Sequence, residues 1–195
     1  MGFWQVFYES WQMECCGTPF TVGDEVAWPL LLPYEGDALG GGWSGELSTI
    51  VGQVERVRDE EGVIRVLRAD DGLTAALNGD PEDESAADDG ASIRRVGLLT
   101  VERHSGEWPE TTGHVRAIRL VTQGYAETAP GSRSWTPVPG EGSFRAVHSC
   151  PKWFGADVVE DGGTASGATL RRIETGVLVE LDVQCATPTE PRDRG

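Results

Sequence analysis

Residues 8–28, YESWQMECCGTPFTVGDEVAW, join the end of one strand-forming run to a turn and a second strand, and the fold class follows from how this stretch is read. Upstream, Phe3 to Trp11 (FWQVFYESW) sets Trp4, Val6 and Tyr8 on one face of an extended chain and Phe3, Phe7 and Trp11 on the other. Two apolar faces predict a central strand. Downstream, Gly17, Pro19 and Val22-Gly23-Asp24 supply turn chemistry, and Glu25-Val26-Ala27-Trp28 alternates polar and apolar. Pro29 and Pro33 place this second strand at an edge or near a strand end. Between the two lie Cys15 and Cys16, whose Cα atoms, about 3.8 Å apart across a trans peptide, are too close for an ordinary disulfide. In an extended chain their side chains point to opposite faces.

The same strand-and-turn grammar continues outward. Thr49–Arg58 and Val63–Ala69 read as a hairpin, Ile93–Arg103 and Gly113–Thr122 as further strands, and Leu170–Ile173 with Val177–Val183 as a last hairpin turning at Glu174-Thr175-Gly176. Residues 35–46 and 128–143 are rich in Gly and Pro and read as loops. Phe144–His148 and Ala156–Val159 read as short strands, and Thr74–Leu77 and Pro151–Phe154 as single helical turns at most. The acidic run 79–91 cannot bury enough apolar surface to offset its ordering entropy. The expected class is all-β with very little helix, as one composite domain or two packed small barrels. The parts are a β region over 1–78, an acidic loop over 79–91, a second β region over 92–185 and a polar tail over 186–195. A Gly-x-Val-x-x-Val/Ile spacing shared by residues 52–57 and 113–118 is compatible with duplication or with ordinary strand composition.

The 195 residues carry a formal charge of −16, which argues against unspecific nucleic-acid binding, since phosphate contacts need basic patches. No apolar run approaches a membrane span, and the residues after Met1 lack the basic start and apolar centre of a signal peptide. A cytoplasmic protein with reduced thiols is expected.

Two chemistries compete for the four cysteines and three histidines. His148 and Cys150, two apart on a strand, would share a face, and with Cys15 and Cys16 they supply soft donors for a tetrahedral zinc, with Cys185 as a further donor. A thiol enzyme would instead pair Cys16 or Cys150 with His104, His114 or His148. The alternative for all of them is packing, because free cysteine is among the residues most often buried. Trp43, Trp108 and Trp135 fall in Gly/Pro-rich segments, where they serve either as binding anchors or as lids folded onto the core.

The motif Trp11-Gln12-Met13-Glu14-Cys15-Cys16-Gly17-x-Pro19-Phe20-x-x-Gly23-Asp24-x-Val26-x-Trp28 resembles an actinobacterial family known only as a domain of unknown function. The resemblance is firmest over residues 4–28 and extends loosely to His104–Ile118. It implies a source and a cytoplasmic location, and no activity. The Gly-Asp-x-Val turn followed by a Gly-x-Val-x-x-Ile strand is also similar to SH3-like small barrels, a likeness of fold alone. The expected function is a non-catalytic binding or adaptor protein that uses Trp43, Trp108 and Trp135, with a protein or small molecule as partner. The alternative is a thiol-dependent enzyme or zinc-binding protein built on Cys15, Cys16, His148 and Cys150.

Overall fold

The computed structural model describes residues 2–33, 43, 45–58, 62–78, 89–129, 131–155, 158–160 and 170–183. In chain order the elements are β1 (Gly2–Glu9), α1 (Ser10–Cys16), β2 (Glu25–Trp28), β3 (Leu30–Leu32), β4 (Ser48–Arg58), β5 (Val63–Arg68), β6 (Thr74–Leu77), β7 (Ser92–Gly97), β8 (Leu99–Val101), β9 (Thr111–Glu127), β10 (Trp135–Val147), β11 (Val158–Glu160) and β12 (Leu170–Val183). The chain is mostly β, as expected. The strands form one sheet in the order β10-β9-β12-β1-β8-β3-β6-β5-β4-β7, with β11 added on β12 and β2 on β9. The path is open, so the sheet does not close into the small barrel that the Gly-Asp-x-Val grammar suggests.

β1 is central, between β12 and β8, and both of its faces are used. Val6 and Tyr8 enter the main core with Val177, Val179 and Leu181 of β12, while Phe7 points the other way to join Leu178 and Val121. A strand with one apolar face would leave half of these exposed. Main-core residues also come from β3, β4, β5 and β8, on both sides of the 79–91 segment, whose residues 79–88 lie outside the described residues, as does the tail. The expected hairpin is present, with Arg58 opposite Val63 and Gln53 opposite Arg68.

Four local expectations are corrected. Ser10–Cys16 is a helix rather than an extended chain. It buries Gln12 and Met13 and ends at Gly17, whose N–H reaches the Gln12 and Met13 carbonyls. Thr74–Leu77 is a strand, fixed by pairing to β3 and β5. Residues 135–143, expected as loop, belong to β10, which tolerates Pro137 and Pro139 because β9 is the strand it pairs with and its register slips between Pro137 and Gly142. The expected last hairpin is one continuous strand, β12, paired along its length with β9.

Gly176 therefore marks a bulge and not a turn. The register to β9 shifts between Glu174 and Gly176, with Thr175 as the extra residue. Gly176 has φ 151°, and a Cβ there would overlap the Tyr8 carbonyl oxygen of the neighbouring strand. Gly176→Ala is expected to cost roughly 2–3 kcal/mol of unfolding free energy, from strained backbone and a displaced β1. Urea denaturation checks this, and an unchanged midpoint would contradict it.

Candidate functional site

β1 and β8 pair in parallel, Val6 opposite Leu99 and Phe7 opposite Thr100, so both leave the sheet at the same end. β1 continues into α1, and β8 continues into Glu102-Arg103-His104. Two segments about ninety residues apart in sequence are thereby placed side by side. Gln12 locks them together: buried at 1% exposure, it donates from Nε2 to the Val101 carbonyl (2.8 Å) and accepts at Oε1 from the Arg103 N–H (3.1 Å). Arg103 in turn donates from Nε to the Tyr8 hydroxyl (3.1 Å).

This brings His104 onto the last turn of α1. His104 Nε2 is 3.4 Å from Cys15 Sγ and 3.8 Å from Cys16 Sγ, and the three donor atoms all lie within 4.8 Å of one another. All three residues are exposed. The imidazole is steadied from two sides. Trp11, one helical turn before Cys15, packs against it at a 37° tilt with ring centroids 5.0 Å apart, its own indole N–H held by Glu9 (2.8 Å). Glu102 accepts the His104 backbone N–H at 2.6 Å and sets a carboxylate oxygen 3.9 Å from Nδ1.

The end of α1 that carries the two cysteines is capped from a third segment. Lys152, the one lysine of the chain, donates to the carbonyls of Met13 (2.7 Å) and Gly17 (3.0 Å), and the Phe154 N–H donates to Glu14 (3.2 Å). Partial burial and the adjoining Cys15 sulfur push the Cys16 thiol up from its ordinary range, while Arg103 and Lys152 oppose them. A helix C-terminus adds to the upward pressure, since its carbonyls disfavour negative charge. Neither effect produces a free, activated thiolate.

The sequence-derived donors separate. Cys150 lies on the inner side of α1, in the main core with Tyr8, Met13 and Phe20, and its N–H bonds to the Phe20 carbonyl (2.8 Å). His148 is exposed, with its carbonyl accepting the Val22 N–H (3.0 Å). Neither belongs to the three-donor cluster, and Cys185 lies outside the described residues. The donor missing from the expected zinc set is His104, which appeared at the sequence level only as one of three histidines open to a thiol enzyme. Nothing local in the sequence ties it to Cys15, because the tie is a parallel strand pair. Of the tryptophans, Trp43 is packed against Phe7 and Phe144, and Trp108 is buried with its indole N–H on the Leu30 carbonyl (2.9 Å). Trp135 is half-buried beneath the Arg171 guanidinium, 4.7 Å from its ring centroid. The more exposed indoles are Trp11 (49%) and Trp153 (70%).

Burial raises the Cys150 thiol from its ordinary 9.0 to about 12. The folded state keeps this proton where the unfolded chain loses it, so the contribution to stability is full below about pH 9 and is lost as pH rises toward 12. Wild type is therefore expected to lose more stability than Cys150→Ala between pH 8 and 10.5, measured by denaturant unfolding. Parallel pH profiles would contradict the burial of this thiol.

No helix among the described residues is long and apolar enough to cross a membrane. No curated protein and no solved structure matches the chain. A family model does match, over residues 2–183, which takes in the Cys-Cys helix, the His104 turn and every strand described above. The chain belongs to a family of unknown function, DUF6578.

Proposed function

We propose that this is a non-catalytic binding protein whose ligand is a soft metal ion of the zinc class, held by Cys15, Cys16 and His104. The observation that carries the reading is the donor geometry. With metal–sulfur distances of about 2.3 Å and metal–nitrogen distances of about 2.0–2.1 Å, a tetrahedral ion places its sulfur and nitrogen donors about 3.6 Å apart. The sulfur–nitrogen separations here are 3.4 and 3.8 Å, on either side of that value, and all three donor atoms lie within 4.8 Å of one another. Two thiolates and an imidazole are a soft donor set, unsuited to calcium or magnesium.

The surroundings support the same reading. Glu102 holds the His104 backbone N–H and sets a carboxylate 3.9 Å from Nδ1, the ring nitrogen that an outer-shell acid would engage. The metal would also offset the negative charge that two thiolates bring to a helix C-terminus. A reducing actinobacterial cytoplasm, the setting expected from the sequence, would keep both thiols available. Trp11 of α1 and Trp153, next in sequence to the Lys152 that caps the helix, are both exposed and offer indoles to a protein partner.

Protein purified without chelator or affinity nickel is expected to carry about one zinc per chain by elemental analysis. Cys15→Ser, Cys16→Ser and His104→Ala each should lower zinc affinity by more than the roughly 10–100-fold typical of losing an outer-shell partner. His148→Ala and Cys150→Ser should keep the stoichiometry. Binding that survives His104→Ala and disappears in His148→Ala would contradict the proposed site.

A further inference from the structure

We infer that the cleft between the 18–28 stretch and Arg103 binds a free α-amino acid with a large apolar side chain, its carboxylate on Arg103 and its ammonium on Asp24. The inference goes beyond the metal site and does not depend on it, because Cys15, Cys16 and His104 are not among the residues that line the cleft.

The first ground is a shaped space. The turn after α1 and the strand β2 border a cleft of about 330 Å³. That volume lies at the small end of the range for ligand pockets, roughly 300–1,000 Å³. Phe20 and Trp28, both buried and with ring centroids 5.0 Å apart, form its floor, and Pro19 and Val26 add apolar wall. Such a floor takes an apolar side chain.

The second ground is a cation held in advance. Arg103 lines the cleft and is fixed at two points, its backbone N–H on Gln12 Oε1 (3.1 Å) and its Nε on the Tyr8 hydroxyl (3.1 Å). The Tyr8 ring in turn packs against Trp28 at 5.5 Å and Phe20 at 6.2 Å, so the guanidinium and the floor share one support. The two amino groups of Arg103 form a separate edge of the guanidinium, the fork that pairs with a carboxylate. A donor positioned before binding loses less freedom when the ligand arrives.

The third ground is opposite charge on the same cleft. Asp24 and Glu25 also line it. Asp24 Oδ2 accepts the Thr21 N–H (2.8 Å), which fixes the carboxylate and leaves Oδ1 to accept from an ammonium. Glu25 stands 3.7 Å from His114 and adds negative potential. The contacts of Arg103, Asp24 and Glu25 are therefore with Tyr8, Thr21 and His114, and the opposite charges are not spent on one another. A ligand with a carboxylate alone meets the acids, and one with an amine alone meets the arginine. A zwitterion satisfies both.

The test is calorimetric titration of the full chain, zinc-loaded and zinc-free, with L-phenylalanine, 3-phenylpropionate and 2-phenylethylamine. L-phenylalanine is expected to bind saturably, one per chain, with the same affinity in both preparations. Each analogue should bind about tenfold more weakly or worse, as losing a charged hydrogen-bond partner requires. Asp24→Asn, which keeps an oxygen for the Thr21 N–H, should remove the preference over 3-phenylpropionate. Arg103→Gln should remove the preference over 2-phenylethylamine. Arg103→Lys, which keeps the charge and loses the fork, should weaken L-phenylalanine severalfold and leave 2-phenylethylamine unchanged, and it serves if Arg103→Gln does not fold. No heat with L-phenylalanine at millimolar concentration, equal affinity for the three compounds, or preferences that survive these substitutions would overturn the inference. Zinc content, measured separately, reports on the metal site alone.

Discussion

The parallel pairing of β1 with β8 is the constraint on which the site depends. Antiparallel neighbours would send their chain ends to opposite edges of the sheet, so that α1 and His104 could not meet. Two paired residues on each strand set the register, and within three residues of leaving the sheet the chains are joined again by Gln12. Gln12 is a buried amide with both of its ends bonded to backbone, which removes the cost of burying it and makes the position of the His104 turn specific. β1 is held on its other side by eight residue pairs with β12. The platform under the site is therefore the middle of the sheet, and the donors sit on short segments anchored to it.

Two cations stand at this end of the molecule among the carboxylates of Glu9, Glu14 and Glu102. Lys152 caps α1, Arg103 reaches Tyr8, and both lie near the Cys16 sulfur in a protein of net charge −16. At Cys16 the raising effects of burial and the Cys15 sulfur outweigh the help of these two cations, which counts against a nucleophile activated by its own environment. Coordination resolves the same conflict differently, since the ion itself supplies the positive charge that two thiolates need. The two sides of α1 divide the cysteines by role. Cys15 and Cys16 face solvent and His104, while Cys150 is a core residue whose thiol is held neutral by burial.

Much of the fold was legible from period-two patterning. Phe3–Trp11 reads as a two-faced central strand; Val6, Phe7 and Tyr8 are buried as that requires, whereas Phe3 is exposed and Trp11 belongs to α1. The hairpin of β4 and β5 follows from composition and turn residues. The pattern failed where long-range pairing overrode a local signal. Gly176 looks like a turn residue because glycine marks turns and bulges alike, and the close approach of the Tyr8 carbonyl decides for a bulge. Pro137 and Pro139 look like loop residues, but an edge strand has no use for the N–H groups they lack. Of the site, the Cys-Cys pair was visible and its partner was not. Reading Ser10–Cys16 as extended sent the two sulfurs to opposite faces, whereas a helix turns them by roughly 100° and lets both approach one imidazole. His148 and Cys150 looked attractive as an i, i+2 pair, but the strand end they occupy belongs to the other side of α1.

The central claim is that two sulfurs of α1 and the imidazole of His104 share one ion. X-ray absorption at the zinc edge, on protein loaded with one equivalent of zinc, measures this directly. The expected first shell contains two sulfurs at about 2.3 Å and one imidazole nitrogen at about 2.0 Å. A shell of nitrogen and oxygen alone, or sulfur scattering that vanishes in Cys150→Ser and persists in Cys15→Ser, would contradict it.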